Sequence, residues 1–205
     1  MNHFNSNCVC AIDIETTGLD PLRHEIWQIA ILPLDKYLNF RQDVNPFFIE
    51  MKPEKTEDMD EEAIKMSKGG VDRAMINGHD KLYAIELLEK WIGNLKMRPT
   101  KYGTPRKLIP LGHNYAAFDK PFIEQWLGID LYNLWFHWHI RDTLISAVFL
   151  NDKAGIKGDM VAFNKVDLKW LCTKCNVILD NHHNSLADAA ATAKLYKELI
   201  KIGLV

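Results

Sequence analysis

Hydrophobic positions fall into two regimes along this chain: short apolar runs in the first fifty residues, and mostly three-and-four spacings afterwards. Residues Cys8 to Ile14 are apolar except for Asp13, the pattern of a strand covered on both faces. Ile26 to Leu34 and Phe47 to Ile49 read as a second and third strand, and the short polar connections between the three predict an antiparallel meander. A short helix is expected around Glu61 to Met66, inside an acidic segment (54–62) that would repel phosphate and is placed away from any nucleic-acid track. Ser67 to His79, punctuated by Gly69, Gly70 and Gly78, reads as an irregular connection. From Asp80 to Lys96, Leu82, Ile85, Leu88, Ile92 and Leu95 recur at helical spacing, the stripe of an amphipathic helix packed on the sheet.

The second half alternates. Leu108 to Ile123 reads as strand, turn and helix, with Pro121 in the first helical turn, where its missing N–H does no harm. The aromatics Tyr132, Trp135, Phe136 and Trp138 read as core or core cover. Arg141-Asp142-Thr143 opens a helix to about Leu150, Asn151 to Lys165 is a loop, Asp167 caps a helix to Cys175, and a long terminal helix follows the pair His182-His183. There is no internal repeat. A meander followed by alternating helices and strands predicts an α/β class with a mixed sheet flanked by helices, and 205 residues fit one domain over positions 1–205.

Composition narrows the function. The hydrophobic share of 47% is ordinary. No apolar stretch is long enough for a membrane span, and Met1 to Asn7 lacks the apolar core of a secretory signal, so a soluble, cytoplasmic protein with no membrane partner is expected. A net charge of −2 excludes a histone-like binder that neutralises many phosphates at once. The basic stretch Lys96, Arg98, Lys101, Arg106 and Lys107 is either a solubilising loop or a phosphate-contacting arm. Cys8, Cys10, Cys172 and Cys175 have spacings that zinc accepts, but they stand within apolar strand and helix patterns and read as core thiols.

Candidate chemistry begins at Asp13 and Glu15. At i and i+2 on a strand they point the same way, about 7 Å apart along the backbone. They form either the solvent face of an edge strand or half of a cation site. Gly18 permits a tight turn at positive φ, leaving Thr16 and Thr17 at a strand end, where open α/β sheets bind ligands. Asp119 stands at a helix start and reads as an N-cap. Ser185 and Asp188 match a capping-box start.

Taken together, Asp13-Ile-Glu15-Thr-Thr-Gly18, His113-Asn114-x-x-x-Phe118-Asp119 and His183-x-x-x-x-Asp188 resemble, in order and form, the three motifs of the DEDDh 3′–5′ exonucleases, with Asp142-Thr143 opening the intervening helix as that family often shows. The resemblance spans nearly the whole chain and implies a ribonuclease H-like mixed five-stranded sheet. It implies that Asp13, Glu15, Asp119 and Asp188 hold two Mg²⁺ ions, for which Mn²⁺ substitutes, and that His183 is the general base, with His182 beside it as the other candidate. It also implies that Thr16, Thr17, Gly18, Leu19, His113, Asn114 and Phe118 contact the terminal nucleotide. The implied partner is a nucleic acid with a free 3′ end, single-stranded DNA before RNA or short oligoribonucleotides, with a polymerase on another chain as a further partner.

Overall fold

The computed structural model describes residues 7–180 and 182–204; apart from Asn7, the segment expected to lack a secretory signal lies outside them. The strands β1 (Cys8–Thr16), β2 (Ile26–Pro33) and β3 (Phe47–Glu50) form the antiparallel meander, and β4 (Leu108–Gly112) and β5 (Arg141–Asp142) add in parallel on the far side of β1. The sheet order is β3-β2-β1-β4-β5, so the strand bearing the two carboxylates lies at its centre.

Alternation along β1 divides the molecule into layers. Cys8, Cys10, Ile12 and Ile14 face a core built with Ala84, Leu88 and Trp91 of α3 (Lys81–Asn94), Phe122 and Ile123 of α4 (Asp119–Leu127) and Tyr132 and Trp135 of α5 (Ile129–Trp135). Val9 and Ala11 face the opposite way, against Ala189 and Ala193 of α8 (Ser185–Gly203). Asp13 and Glu15 continue that second row. They therefore emerge on the α8 face, at the end of β1 that extends beyond its pairing with β4, which stops at Ala11 and Leu111. A third cluster packs Ala147 and Leu150 of α6 (Thr143–Lys157) and Leu168, Leu171 and Cys172 of α7 (Leu168–Lys174) against α8.

The acidic segment holds a short 3-10 turn (Thr56–Asp58) and α1 (Glu61–Met66), which the carboxylate of Asp60 caps. Beyond it the structure departs from the sequence reading. Residues 70–77 form a helix, α2 (Gly70–Asn77), not a loop. Gly70 is there for contact, since a Cβ on it would lie 2.4 Å from the buried Trp27 ring, against which Val71 and Ala74 also pack. On α3, Leu82 is exposed and Ala84 and Trp91 take buried positions. α6 runs to Lys157, well past Leu150, and ends at Gly158 with φ 76°. The aromatic stretch is mainly core, as expected, with Trp138 alone of the four exposed. All four cysteines are free thiols. Among the described residues no helix is long and apolar enough to cross a membrane.

Candidate active site

β1 and β2 pair regularly until a register shift between Glu15 and Thr16. Such irregularities turn a strand and re-aim its side chains. The chain then folds back through Gly18, whose backbone is not left-handed as expected. Gly18 is small because the His24 ring lies against it, 2.4 Å from where a Cβ would stand, and His24 Nδ1 accepts from the Asp20 N–H at 2.9 Å. Thr16 Oγ1 donates to the Gly18 carbonyl at 2.7 Å, closing the turn from within.

A pocket of about 220 Å³ opens at this strand end, lined by Asp13, Ile14, Glu15, Thr16, Gly18, Leu19, Phe118, His183 and Asp188, with Ala63 and Met66 of α1 on its rim. One ligand atom each from Asp13, Glu15 and Asp188 lie within 4.8 Å of one another. Leu19 is 79% exposed beside them. α1 therefore reaches the pocket through Ala63 and Met66, while none of the acids of segment 54–62 lines it.

Asp188 lies one turn into α8 and is 4% exposed. Its Oδ2 accepts from His182 Nδ1 at 2.9 Å and from the His183 N–H at 3.2 Å, whereas its buried Oδ1 has no hydrogen-bond partner among the described residues. The cap of α8 is Asn184, whose side chain accepts from the Ala187 N–H. Ser185 is thus not the cap of a capping box. The two histidine rings stack with centroids 4.0 Å apart, and His183 holds a left-handed backbone, φ 71°.

Asp119, also 4% exposed, comes from the other layer, in the first turn of α4, and makes no side-chain cap bond. Its carboxylate lies within reach of the Ile14 backbone and its charge acts on Asp13, but it is not part of the 4.8 Å cluster. Thr17 is buried, its hydroxyl accepting from the Glu25 N–H at 3.0 Å. His113 Nδ1 pairs with Thr143 Oγ1 at 2.9 Å. The N–H groups of Asn114 and Tyr115 donate to the Asp142 carboxylate at 3.1 and 2.8 Å, and the same carboxylate caps α6. Thr17, His113 and Asn114 do not line the pocket.

The electrostatics show an acid cluster short of positive charge. Burial, then the charges of Asp119, Asp188 and Glu15, push the Asp13 carboxyl well above its ordinary range. Burial and Asp188 push Glu15 up to about 7, with His182 opposing. Burial likewise raises Asp119, eased by backbone hydrogen bonds. The hydrogen bond to Asp188 raises His182, whereas burial and the neighbouring His182 lower His183. Lys68 and Lys169 are close enough for their charges to act on His183. Neither lysine stood out in the sequence, and both are exposed.

A family model described as "Exonuclease" (RNase_T) matches residues 10–99, which include the first carboxylate pair and stop short of Asp119 and Asp188. The oligoribonuclease of Yersinia enterocolitica is 29% identical over 129 residues, covering 60% of this chain and 65% of the relative. The PolC-type DNA polymerase III of Listeria welshimeri is 26% identical over 202 residues, 94% of this chain but 11% of the polymerase. The chain thus spans less than two thirds of either relative. Escherichia coli exonuclease I, in complex with a dT13 oligonucleotide, shares the fold with a TM-score of 0.67 at 20% identity, over 93% of this chain and 40% of that one. The first part of the chain thus matches an exonuclease family model, two nucleic-acid enzymes are its relatives below 30% identity, and its fold is shared with exonuclease I, findings consistent with the DEDDh 3′–5′ exonucleases.

Proposed function

We propose that this chain removes nucleotides from the 3′ end of single-stranded DNA by hydrolysis dependent on divalent cations, with Mg²⁺ as the working ion and Mn²⁺ as a substitute. The observation that carries this reading is the convergence of Asp13, Glu15 and Asp188 on one pocket at the end of β1. The donor set fits a hard cation: the buried Asp188 Oδ1 lacks a partner among the described residues, Asp13 and Glu15 repel their neighbours, and carboxylate oxygens are the ligands magnesium takes. Asp13, Glu15 and Asp188 would hold the first ion, and Asp119 would complete the set for a second. When bound, two such ions neutralise the phosphate and make water more acidic.

The chain's own residues do the rest. His183, its pKa lowered and hence neutral near pH 7, accepts the proton of the attacking water at a ring nitrogen. The water oxygen bonds to phosphorus as the bond to the 3′-oxygen breaks, releasing a 5′-mononucleotide. His182 is the weaker candidate for this base because its Nδ1 is engaged by Asp188. Leu19 lies against the terminal base, Thr16, Gly18 and Phe118 shape the seat of the 3′ end, and Lys68 and Lys169 face its phosphates.

A time course on single- and double-stranded DNA and on RNA, with Mg²⁺, Mn²⁺ or EDTA, tests the reading. We expect 3′ shortening of single-stranded DNA that EDTA stops and that Asp13→Ala abolishes without loss of fold; undiminished cleavage by that variant would sink the metal assignment. The oligoribonuclease relative favours a second reading, short RNA as substrate, and faster turnover of RNA 5-mers than of DNA 5-mers would select it. In the relative named as a DNA polymerase the matching region is part of the polymerase chain itself, and a polymerase on another chain is the partner we propose by extension. Primer extension across a 3′-terminal mismatch, with and without this chain, checks that partner.

A further inference from the structure

The one polar residue of β2, Gln28, is 0% exposed in a strand that is otherwise apolar from Ile26 to Pro33. Burying an amide is unfavourable unless its groups are paired, and here both ends are. Gln28 Oε1 accepts from the Ser185 N–H at 2.9 Å and from Ser185 Oγ at 3.0 Å, while Nε2 donates to Glu50 Oε1 at 3.0 Å. Glu50 is held in turn by Arg73 of α2, whose Nε reaches its two oxygens at 3.1 and 3.0 Å.

These bonds link four elements, α8, β2, β3 and α2, at the level of the carboxylates. Gln28 is the ladder partner of Glu15, so the two side chains leave the sheet on the same face. Ser185 is the first residue of α8, three positions before Asp188. Elsewhere the helix meets the sheet through buried Ala189 and Ala193, with Leu186, Ala190 and Tyr196 partly buried beside them, apolar contacts that hold the two together without the directionality of a hydrogen bond. Directional hydrogen bonds at the helix start supply the missing register.

We propose that Gln28 is a positioning residue: it sets the placement of Asp188 against Asp13 and Glu15, and through it the affinity for the divalent cation. The inference rests on the reading given above, that these carboxylates bind such an ion.

The test is Mn²⁺ binding to the full chain by titration calorimetry, with melting temperature and nuclease kinetics beside it. Gln28→Met keeps size and neutrality but loses all three bonds, and is expected to weaken Mn²⁺ binding at least tenfold. At subsaturating Mn²⁺ its kcat should fall while the KM for oligonucleotide stays put. The exchange Gln28→Glu with Glu50→Gln keeps an acceptor for Ser185 and a donor between the two side chains while bringing a carboxylate opposite Glu15, so its Mn²⁺ affinity should stay well above that of Gln28→Met. A Gln28→Met variant that melts lower yet binds Mn²⁺ as wild type does would overturn the proposal, as would an exchange variant no better than Gln28→Met. Should Gln28→Met fail to fold, Ser185→Ala removes one of the two donors: threefold or weaker binding supports the proposal, and unchanged binding overturns it. Wild-type chain inactive on every oligonucleotide would overturn the nuclease reading, whereas the Mn²⁺ titrations judge Gln28 independently of activity.

Discussion

At the scale of single residues, the carboxylates carry a charge problem that makes itself felt in stability. Glu15 is held at about 7, against an ordinary 4.5, by burial first and Asp188 second. An acid whose folded pKa is raised binds its proton more tightly in the folded state, so it favours folding below its unfolded pKa and loses that contribution as pH climbs from there to the folded value. In metal-free protein the Glu15 contribution therefore declines between pH 4.5 and about 7, a change of about 3 kcal/mol at ~1.4 kcal/mol per pH unit. Glu15→Gln has no such titration. In EDTA its stability advantage over wild type should grow across that window, as urea melts at pH 5 and pH 7.5 would show; an advantage independent of pH would mean that Glu15 is not held neutral. The histidines give a second expectation. His183→Ala should slow hydrolysis on the order of a hundredfold, and if His182→Ala proved the slower enzyme in a single-turnover assay, the base would be the other ring. Asp13 was legible in the sequence because it breaks an apolar run, and Gln28 sends the same kind of signal in β2. The division of labour between the histidines was not, because it depends on which ring Asp188 engages.

At the scale of elements, strands and long helices were legible where a single periodicity ruled, as in β1, β2 and α3. The missed helix α2 has a particular cause: glycine serves both turns and close contacts. Gly69, with φ 85°, is a true left-handed junction, whereas the adjacent Gly70 lies inside α2 because Trp27 leaves no room for a Cβ. Nothing in the local sequence separates the two. Gly70→Ala should therefore destabilise, although alanine is the better helix former, since the overpacked Trp27 must shift at a cost of about 1–3 kcal/mol. Gly93→Ala, a helical position with no atom within 4 Å of the added Cβ, should instead stabilise slightly. Thermal melts of both variants decide it: two changes of the same sign would mean that contact with Trp27 is not what selects Gly70. The docking of α2 matters beyond stability, because Arg73 on that helix holds Glu50 and, through it, Gln28.

At the scale of the whole molecule, the site occupies one end of the sheet and the most basic stretch of the chain occupies the other. Lys107 leads into β4, whose first residue pairs with Cys8 at the start of β1. The carboxylates lie five and seven residues further along β1, roughly 17–23 Å away at a strand's rise of about 3.3 Å per residue. Lys107 is also occupied, its Nζ donating to the Asn133 carbonyl. The sequence reading allowed this loop to be a phosphate arm because spacing along the chain is silent about which end of a sheet a loop joins. The exposed cations near the carboxylates are instead Lys68 and Lys169, whose charges act on His183, and under the proposed function a 3′ end would lie beside them. Each phosphate contact to a single strand contributes about 0.7 to the slope of log affinity against log salt. Lys68→Ala with Lys169→Ala should therefore raise the KM for single-stranded DNA and flatten its salt dependence by about 1.4. Replacing Arg98, Lys101 and Arg106 together should leave both quantities unchanged on a DNA 3-mer, which is too short to reach from the carboxylates to the loop. If the loop variant flattens the slope on the 3-mer as well, the DNA lies along a path that this arrangement does not predict. A loss confined to substrates of 15 or more nucleotides would instead mean that the strand runs the length of the molecule and that the loop holds its far end.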